Sequence, residues 1–461
     1  MSEKRFADAA VLYAELAESY PNEPTLKANL GMALHLSAQD EEAVKHLKPA
    51  ASGMPDSFPA NFFLGASLVR LGRYDEALAP LRRAVDLDSG HPFARSMLAD
   101  VYEATGSYRD ALTQWRRLRD LMPENPFPYA GLVRCHEELA GEAFDVLKNK
   151  NPESQEVLLV LAHSRLASAQ YPSALYLFRR ALEVGPAARE IHLAVADVYK
   201  SSGRNEWAAV ERGKARELPE NDCGQPQNPV CMFQDRQYEA LADADESSTD
   251  DALYWAARSH ARLAGSAFHE LGGLPESFQQ LQLIADLLGG QGQYGKAVDA
   301  CRRALQIRPG DPVLERQLAE FLYRSGNNSE ARPLLTRLAK SDPDDSRWTA
   351  MLGGLLVREQ QFNASIPYLE QAAAMPGAAL STRLSLGRSY LAVDRPADAV
   401  PHLEASLPLD TDGSVHYQLA QAYQRTGRRE EARIALNRYR ELDQETRLRT
   451  EASASLEVTP P

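Results

Sequence analysis

No run of apolar residues in this chain approaches the ~20 that a membrane-spanning helix needs, although 44% of its 461 residues are hydrophobic. No membrane span is expected. Basic charge is short as well: 51 Lys and Arg stand against 64 Asp and Glu, a formal net charge of -13, whereas a surface that neutralises phosphates needs the opposite balance. Nucleic acid is therefore not an expected partner. Cysteine is scarce, with four in the whole chain, too few for a disulfide scaffold. Cys135 and Cys301 fall in helical pattern and read as small buried apolar residues. The opening Met1-Ser2-Glu3-Lys4-Arg5-Phe6 runs straight into helical pattern, without the apolar segment of an export signal.

Catalytic and metal-binding constellations are missing too. The ten histidines are scattered, with no Ser/His/Asp or Cys/His arrangement. His136-Glu137-Glu138-Leu139-Ala140 begins like a zinc-protease helix but carries Ala140 where the second histidine must stand. Gly290-Gln291-Gly292-Gln293-Tyr294-Gly295 satisfies GxGxxG, yet a phosphate cradle needs a strand before it, and these glycines fall in a helix-to-helix turn. Asn327-Asn328-Ser329 and Asn363-Ala364-Ser365 match a glycosylation pattern inside repeats, where chance explains them. No cofactor, no metal and no enzymatic activity are expected.

What is present in abundance is repetition. Gly72-Arg73-Tyr74-Asp75-Glu76-Ala77 recurs in altered form as Gly106 to Ala111, Ala169 to Ala174 and Gly292 to Ala297, each followed by a double arginine, at Arg82-Arg83, Arg116-Arg117, Arg179-Arg180 and Arg302-Arg303. The double arginines suit the C-terminal ends of helices and solvated pairing. In the same register a small residue stands at Gly31, Gly65, Ala99, Ala162, Ala196, Ala285, Ala319, Gly353, Gly387 and Ala420. The spacings are 34, 34, 63, 34, 89, 34, 34, 34 and 33, and each small residue is followed twelve positions later by Ala or Ser, from Ala43 to Ala432. Two apolar-periodic runs per unit make a helical hairpin, and two small residues let its backbones approach where they cross. One hairpin cannot bury its apolar face alone, so neighbours must stack.

This unit resembles the tetratricopeptide repeat over roughly residues 4 to 442, with Leu or Tyr three residues after the small residue, as at Leu34, Leu68, Tyr102 and Tyr199, and Arg165 as the exception. The family's frequent tryptophan early in the first helix is replaced by Lys27, Asn61, Arg95 and Glu315. The resemblance implies an all-α, right-handed α-solenoid, a superhelix of antiparallel hairpins whose first helices line the concave face. The expected organisation is an array over 1–219, beginning with half a hairpin and containing a shortened unit near 124–154; an irregular insertion with the cysteine pair over 220–250; a second array over 251–442, shortened unit first; and a disordered tail over 443–461. The half hairpin at the start implies that the natural chain begins upstream.

On that face the resemblance places Met32, Phe62, Val69 and Phe93 first, then Asp100, Glu103, Glu156, Glu190 and Asp197, and finally Arg316, Tyr323, Arg324, Arg347, Arg358, Arg388, Tyr417 and Arg425, with Glu320 opposing. The Lys and Asn clamp of chaperone-binding members is not reproduced. The expected function is a protein–protein interaction scaffold or adaptor that binds protein segments in this groove, an acidic segment or chain-terminal carboxylate at the Arg-rich end; the alternative is self-assembly, head to tail, through an open array end. Cys223 and Cys231 are expected to form a disulfide if the protein is exported. Localisation follows from that pair: cell envelope, periplasmic or secreted if it is oxidised and an upstream signal was removed, otherwise cytoplasmic.

Overall fold

The computed structural model describes residues 2–186, 188–223, 227–243, 245, 247–454 and 458–461, with side chains described between 5 and 447 and again from 458. Among these residues every regular element is helical, 25 α-helices and one short 3-10 turn, with no strand.

One hairpin shows why the sequence folds this way. Ser57 accepts from the Ala60 N–H and caps the helix Phe58–Arg70, with Pro59 in its first turn, where the missing N–H costs nothing. The chain then reverses at Gly72, whose φ of 72° is left-handed, and the Arg73 N–H donates to the Leu68 carbonyl at 2.9 Å. The helix Tyr74–Leu87 follows, with Asp75 and Glu76 in its first turn favoured there by the helix dipole. At the crossing, a Cβ on Gly65 would stand 2.5 Å from the Leu81 side chain. Ala77, Leu81 and Ala84 are fully buried.

The same turn joins the two helices of the other hairpins. Left-handed residues stand at Ala38, Gly72, Gly106, Ala169, Gly203, Arg236, Gly292, Gly326, Gln360, Asp394 and Gly427. After each, the next N–H donates five residues back at 2.8 to 2.9 Å, from Gln39 to Leu34 through Arg428 to Tyr423. This is the Schellman arrangement that satisfies the ends of the first helix. Its acceptors include the Leu, Tyr and Arg165 positions of the repeat pattern. Where the left-handed residue is not glycine, its Cβ crowds the backbone by about 1 kcal/mol. Gln360→Gly and Asp394→Gly are expected to stabilise the protein, by up to ~1 kcal/mol each, read from urea unfolding; destabilisation by both would contradict the turn assignment.

Three sequence expectations are corrected. The insertion is not wholly irregular: Pro229–Gln234 and Tyr238–Leu241 are short helices joined at left-handed Arg236, 33 residues after Gly203. With the Gln237 N–H bonded to the Met232 carbonyl at 2.8 Å, it is a truncated hairpin in register, hidden because arginine replaces the turn glycine. Gly224, Pro226, Ala244 and Glu246 of this stretch lie outside the described residues. The tail does not lose structure at 443, since the helix Arg429–Ala454 runs on into it; with Leu448 as its one large apolar residue, the continuation carries no apolar period to read. The division of the chain also differs from boundaries at 219 and 251. One compact unit comprises Met1–Leu161, Ala181–Pro186 and Pro219–Glu276, and the other Ala162–Arg180, Ala187–Leu218 and Ser277–Pro461.

Within the first unit, each of the two shortened repeats is a single helix, Pro126–Lys150 and Asp250–Gly273, with the turn lost altogether. These two long helices pack extensively on each other, which is why residues 250–276 belong with the N-terminal hairpins. Within the second unit, the first helix Ser346–Arg358 touches the next first helix Leu380–Ala392, which touches Ser414–Arg425 in turn, and each also packs on its own second helix.

Candidate ligand groove

The arginines expected on the first-helix face are held in different ways. Arg316 lies 3.6 Å from Asp342 and keeps 47% of its side chain exposed. Arg324 pairs with Glu320 at 2.8 Å and donates to the Tyr294 hydroxyl at 3.3 Å. Arg347 grips Asp345 with both Nε and Nη2, at 3.0 and 2.7 Å; this bidentate bond holds Asp345 below the usual carboxylate range. The Arg388 Nε donates to the neutral amide oxygen of Gln418 at 3.3 Å.

Arg358 and Arg425 share a second task. Arg358 Nη1 donates to the Tyr323 carbonyl at 2.9 Å and Arg425 Nη1 to the Leu391 carbonyl at 3.2 Å. In the first unit Arg70 Nη1 does the same to the His35 carbonyl at 2.8 Å. Each arginine sits in the last turn of a first helix and reaches the C-terminal end of the preceding first helix, where carbonyls lack intrahelical partners. This staple between neighbouring repeats was not anticipated from sequence, although the Arg70, Arg358 and Arg425 register was its signal. Aromatic rings complete the face: the Arg358 guanidinium lies 4.1 Å from the Tyr323 ring centroid, within cation–π range, and Tyr417, 44% exposed, is 5.1 Å from the Tyr439 ring.

In the first unit, Phe62 stacks on Phe58 at 5.5 Å and meets Phe63 edge-on at 5.3 Å, while Phe93 is 74% exposed. Glu103 is not a free acid, because Arg134 holds both its oxygens at 2.8 and 3.0 Å and the Trp115 indole donates to it at 2.5 Å. Desolvation, with the Glu103 charge adding to it, pushes the Asp100 carboxyl up to about 6. Phe62 thus lies on Phe58–Arg70, and Phe93, Asp100 and Glu103 on the next first helix, Pro92–Ala104.

Comparison with known proteins bears on the repeat itself. Two tetratricopeptide repeat family models match, one at residues 68–135 and 290–355, the other at 41–92 and 384–445. These stretches of the chain are tetratricopeptide repeats. Among curated proteins, "Cellulose synthase operon protein C" of Pseudomonas fluorescens (strain SBW25) is 22% identical over 447 residues, covering 91% of this chain and 34% of the relative. The chain thus spans about a third of that relative's length. Among solved structures, MamA from Desulfovibrio magneticus RS-1 is 17% identical over 37% of this chain and 97% of its own, with a TM-score of 0.33. YrrB, described as "a TPR protein with an unusual peptide-binding site", is 18% identical over 41% of this chain and 98% of its own, also with a TM-score of 0.33. The tetratricopeptide fold serves in general as a scaffold for protein–protein interaction, and such proteins are typically non-enzymatic.

The other sequence motifs of this tetratricopeptide protein are structural. Gly290 ends one helix and Gly292 makes the left-handed turn into Tyr294–Ile307. His136 is buried and its Nδ1 lies 2.9 Å from the Nδ1 of His260. Among the described residues no cluster of His, Cys, Asp and Glu has metal-binding form, and no helix is long and apolar enough to cross a membrane. Cys223 and Cys231 are joined in a disulfide with their Cα atoms 5.7 Å apart, while Cys135 and Cys301 are buried free thiols, each raised by desolvation.

Proposed function

We propose that this chain is a non-enzymatic scaffold whose first-helix face over residues 312–442 binds an extended acidic segment, or a chain-terminal carboxylate, of another protein. The supporting observation is that Arg358 and Arg388 spend hydrogen bonds on neutral acceptors, a carbonyl and an amide. Such bonds orient a guanidinium without cancelling its charge. Arg316 and Arg347 are 47% and 68% exposed, each beside an aspartate that a ligand carboxylate would have to compete with, and Tyr323 and Tyr417 add ring faces for an extended chain. Neither nucleic acid nor a membrane enters this reading.

A labelled acidic peptide and its basic counterpart, titrated at two salt concentrations, test it. The acidic peptide should bind, more weakly as salt rises. Arg347→Glu with Arg388→Glu should weaken it at least ~tenfold with helicity unchanged, since neither side chain is buried. Equal affinities throughout would move the working surface elsewhere, foremost to the aromatic positions around Phe62 and Phe93.

Self-assembly is supported by one separate observation. The opening helix Ser2–Ser19 leaves Val11 and Leu12 at 60% and 61% exposure and Leu16 at 44%, with Tyr20 at 62% just beyond its end. An apolar face of this kind can stack on another copy. Sedimentation over a range of concentrations should then show growing mass, abolished by Leu12→Lys; a monomer at every concentration would remove this reading.

A further inference from the structure

Thr459 and Pro460 are 280 and 281 residues from Arg179 in sequence, yet both are hydrogen-bonded to it, inside one compact unit. Arg179 Nη1 donates to the Thr459 hydroxyl at 2.5 Å, and Nη2 reaches the Thr459 carbonyl at 3.2 Å and the Pro460 carbonyl at 2.6 Å. The Tyr199 hydroxyl accepts from Arg179 Nη2 at 2.9 Å and donates its own proton to the Thr459 carbonyl at 2.8 Å. One guanidinium and one phenol thus hold two consecutive carbonyls and a hydroxyl.

The repeat itself explains why this place can take a peptide. Arg82 and Tyr102 form the same pair at the same sequence separation of 20, but there Arg82 donates through Nε at 2.6 Å and its guanidinium lies 5.1 Å from the tyrosine ring. In two later repeats the partner is acidic: Tyr390 donates to Glu370 and Tyr423 to Glu404. A phenol that donates to a carboxylate has no proton left for a peptide carbonyl. Tyr199 has one, because its partner is a donor. Its ring is fully buried, with Trp207 edge-on at 5.6 Å, so the hydroxyl is held in place before any ligand arrives.

The occupant has matching chemistry. Pro460 and Pro461 carry no N–H, so a segment here presents carbonyls without stranding donors, and proline favours the extended conformation that turns those carbonyls outward. Both prolines are exposed, and the bonds run through the backbone and the threonine hydroxyl. The site therefore reads an extended proline-containing backbone more than a set of side chains.

We propose that Arg179 and Tyr199 form a binding site for extended proline-containing peptide segments, filled in this chain by its own Thr459 and Pro460 and opened to an outside segment when these are displaced. The site is separate from the Arg-rich face of residues 312–442 and stands whether or not that face binds acidic peptides. Tethering gives the internal segment an effective concentration on the order of millimolar, so outside segments must compete with it.

The test uses a fluorescent acetyl-Leu-Glu-Val-Thr-Pro-Pro-amide, blocked at both ends so that terminal charges play no part. It is titrated into the full chain, into the chain lacking residues 458–461, and into the shortened chain carrying Arg179→Ala or Tyr199→Phe. The shortened chain should bind saturably and the full chain at least ~tenfold more weakly. Arg179→Ala should weaken binding at least ~tenfold; Tyr199→Phe, which keeps the buried ring, should weaken it several-fold even if the arginine variant folds poorly. A peptide with both prolines changed to alanine should also bind worse. Absence of saturable binding to the shortened chain, equal binding by full and shortened chains, or indifference to Tyr199→Phe would overturn the proposal.

Discussion

Gly65→Leu is expected to lower the unfolding free energy by about 3 kcal/mol and to broaden the transition. Even a methyl on Gly65 would come within 2.5 Å of Leu81 Cγ and Cδ2, and Leu81 is fully buried, so it has nowhere to withdraw. Gly31 meets Leu47 at 2.4 Å, Gly353 meets Leu369 at 2.6 Å and Gly387 meets Leu403 at 2.7 Å, the same contact repeated in other hairpins. Ala111→Trp should act alike, because Ala111 is fully buried. Since repeat units couple mainly to their neighbours, the damaged hairpin should melt ahead of the rest. Gly141→Ala is the control: it is helical with open space around its Cβ position, and should stabilise slightly. Urea unfolding followed by circular dichroism reads all three, and an unchanged midpoint for Gly65→Leu would refute the assigned register.

Acidification from pH 7 to 4 should cost the first unit several kcal/mol through one histidine pair. His136 and His260 sit on the two long helices with side chains 3% and 4% exposed, their Nδ1 atoms 2.9 Å apart. Burial pushes His136 down to about 3 and His260 to about 4, with His260 and Arg116 opposing the charge on the first ring and Arg109 and Arg116 on the second. Both rings stay neutral in the folded state while the unfolded chain takes up protons below ~6.5. Stability is therefore full above that value and falls as pH drops toward 4, by about 1.4 kcal/mol per unit for each ring. Carboxylates titrate over the lower part of this window, so the comparison is with His136→Leu plus His260→Leu. Wild type should lose more stability than this variant between pH 7 and 4.5; equal losses would mean that the pair does not carry the acid sensitivity.

The hairpin register was legible because its signal is local and repeated: small residues such as Gly65 and Ala77 stand at fixed offsets wherever two backbones cross. The two fused helices were legible as well, from spacings too short for a full unit. Arg236 stands where most units carry a turn glycine, and the bond from Gln237 to Met232 is what reveals the truncated hairpin there. The His136–His260 and Arg179–Thr459 contacts join residues 124 and 280 apart, and no period connects them. The pairing of the expected groove arginines was not legible. Sequence places Arg358 and Arg425 on the first-helix face; only the structure shows each reaching a carbonyl of the preceding repeat.

On the proposed function, this array holds another protein along the first helices of residues 312–442. Site-specific photo-crosslinking of a captured partner tests it most directly, with the photoreactive residue placed at Tyr417 or Tyr323 on that face and, for comparison, at Arg337 on the second helix Asn328–Ser341. Crosslinks to an acidic partner segment from Tyr417 and Tyr323, lost on Arg347→Glu with Arg388→Glu and absent from Arg337, are the predicted result. Crosslinks from Arg337 alone, or from all three positions regardless of the arginine changes, would contradict it.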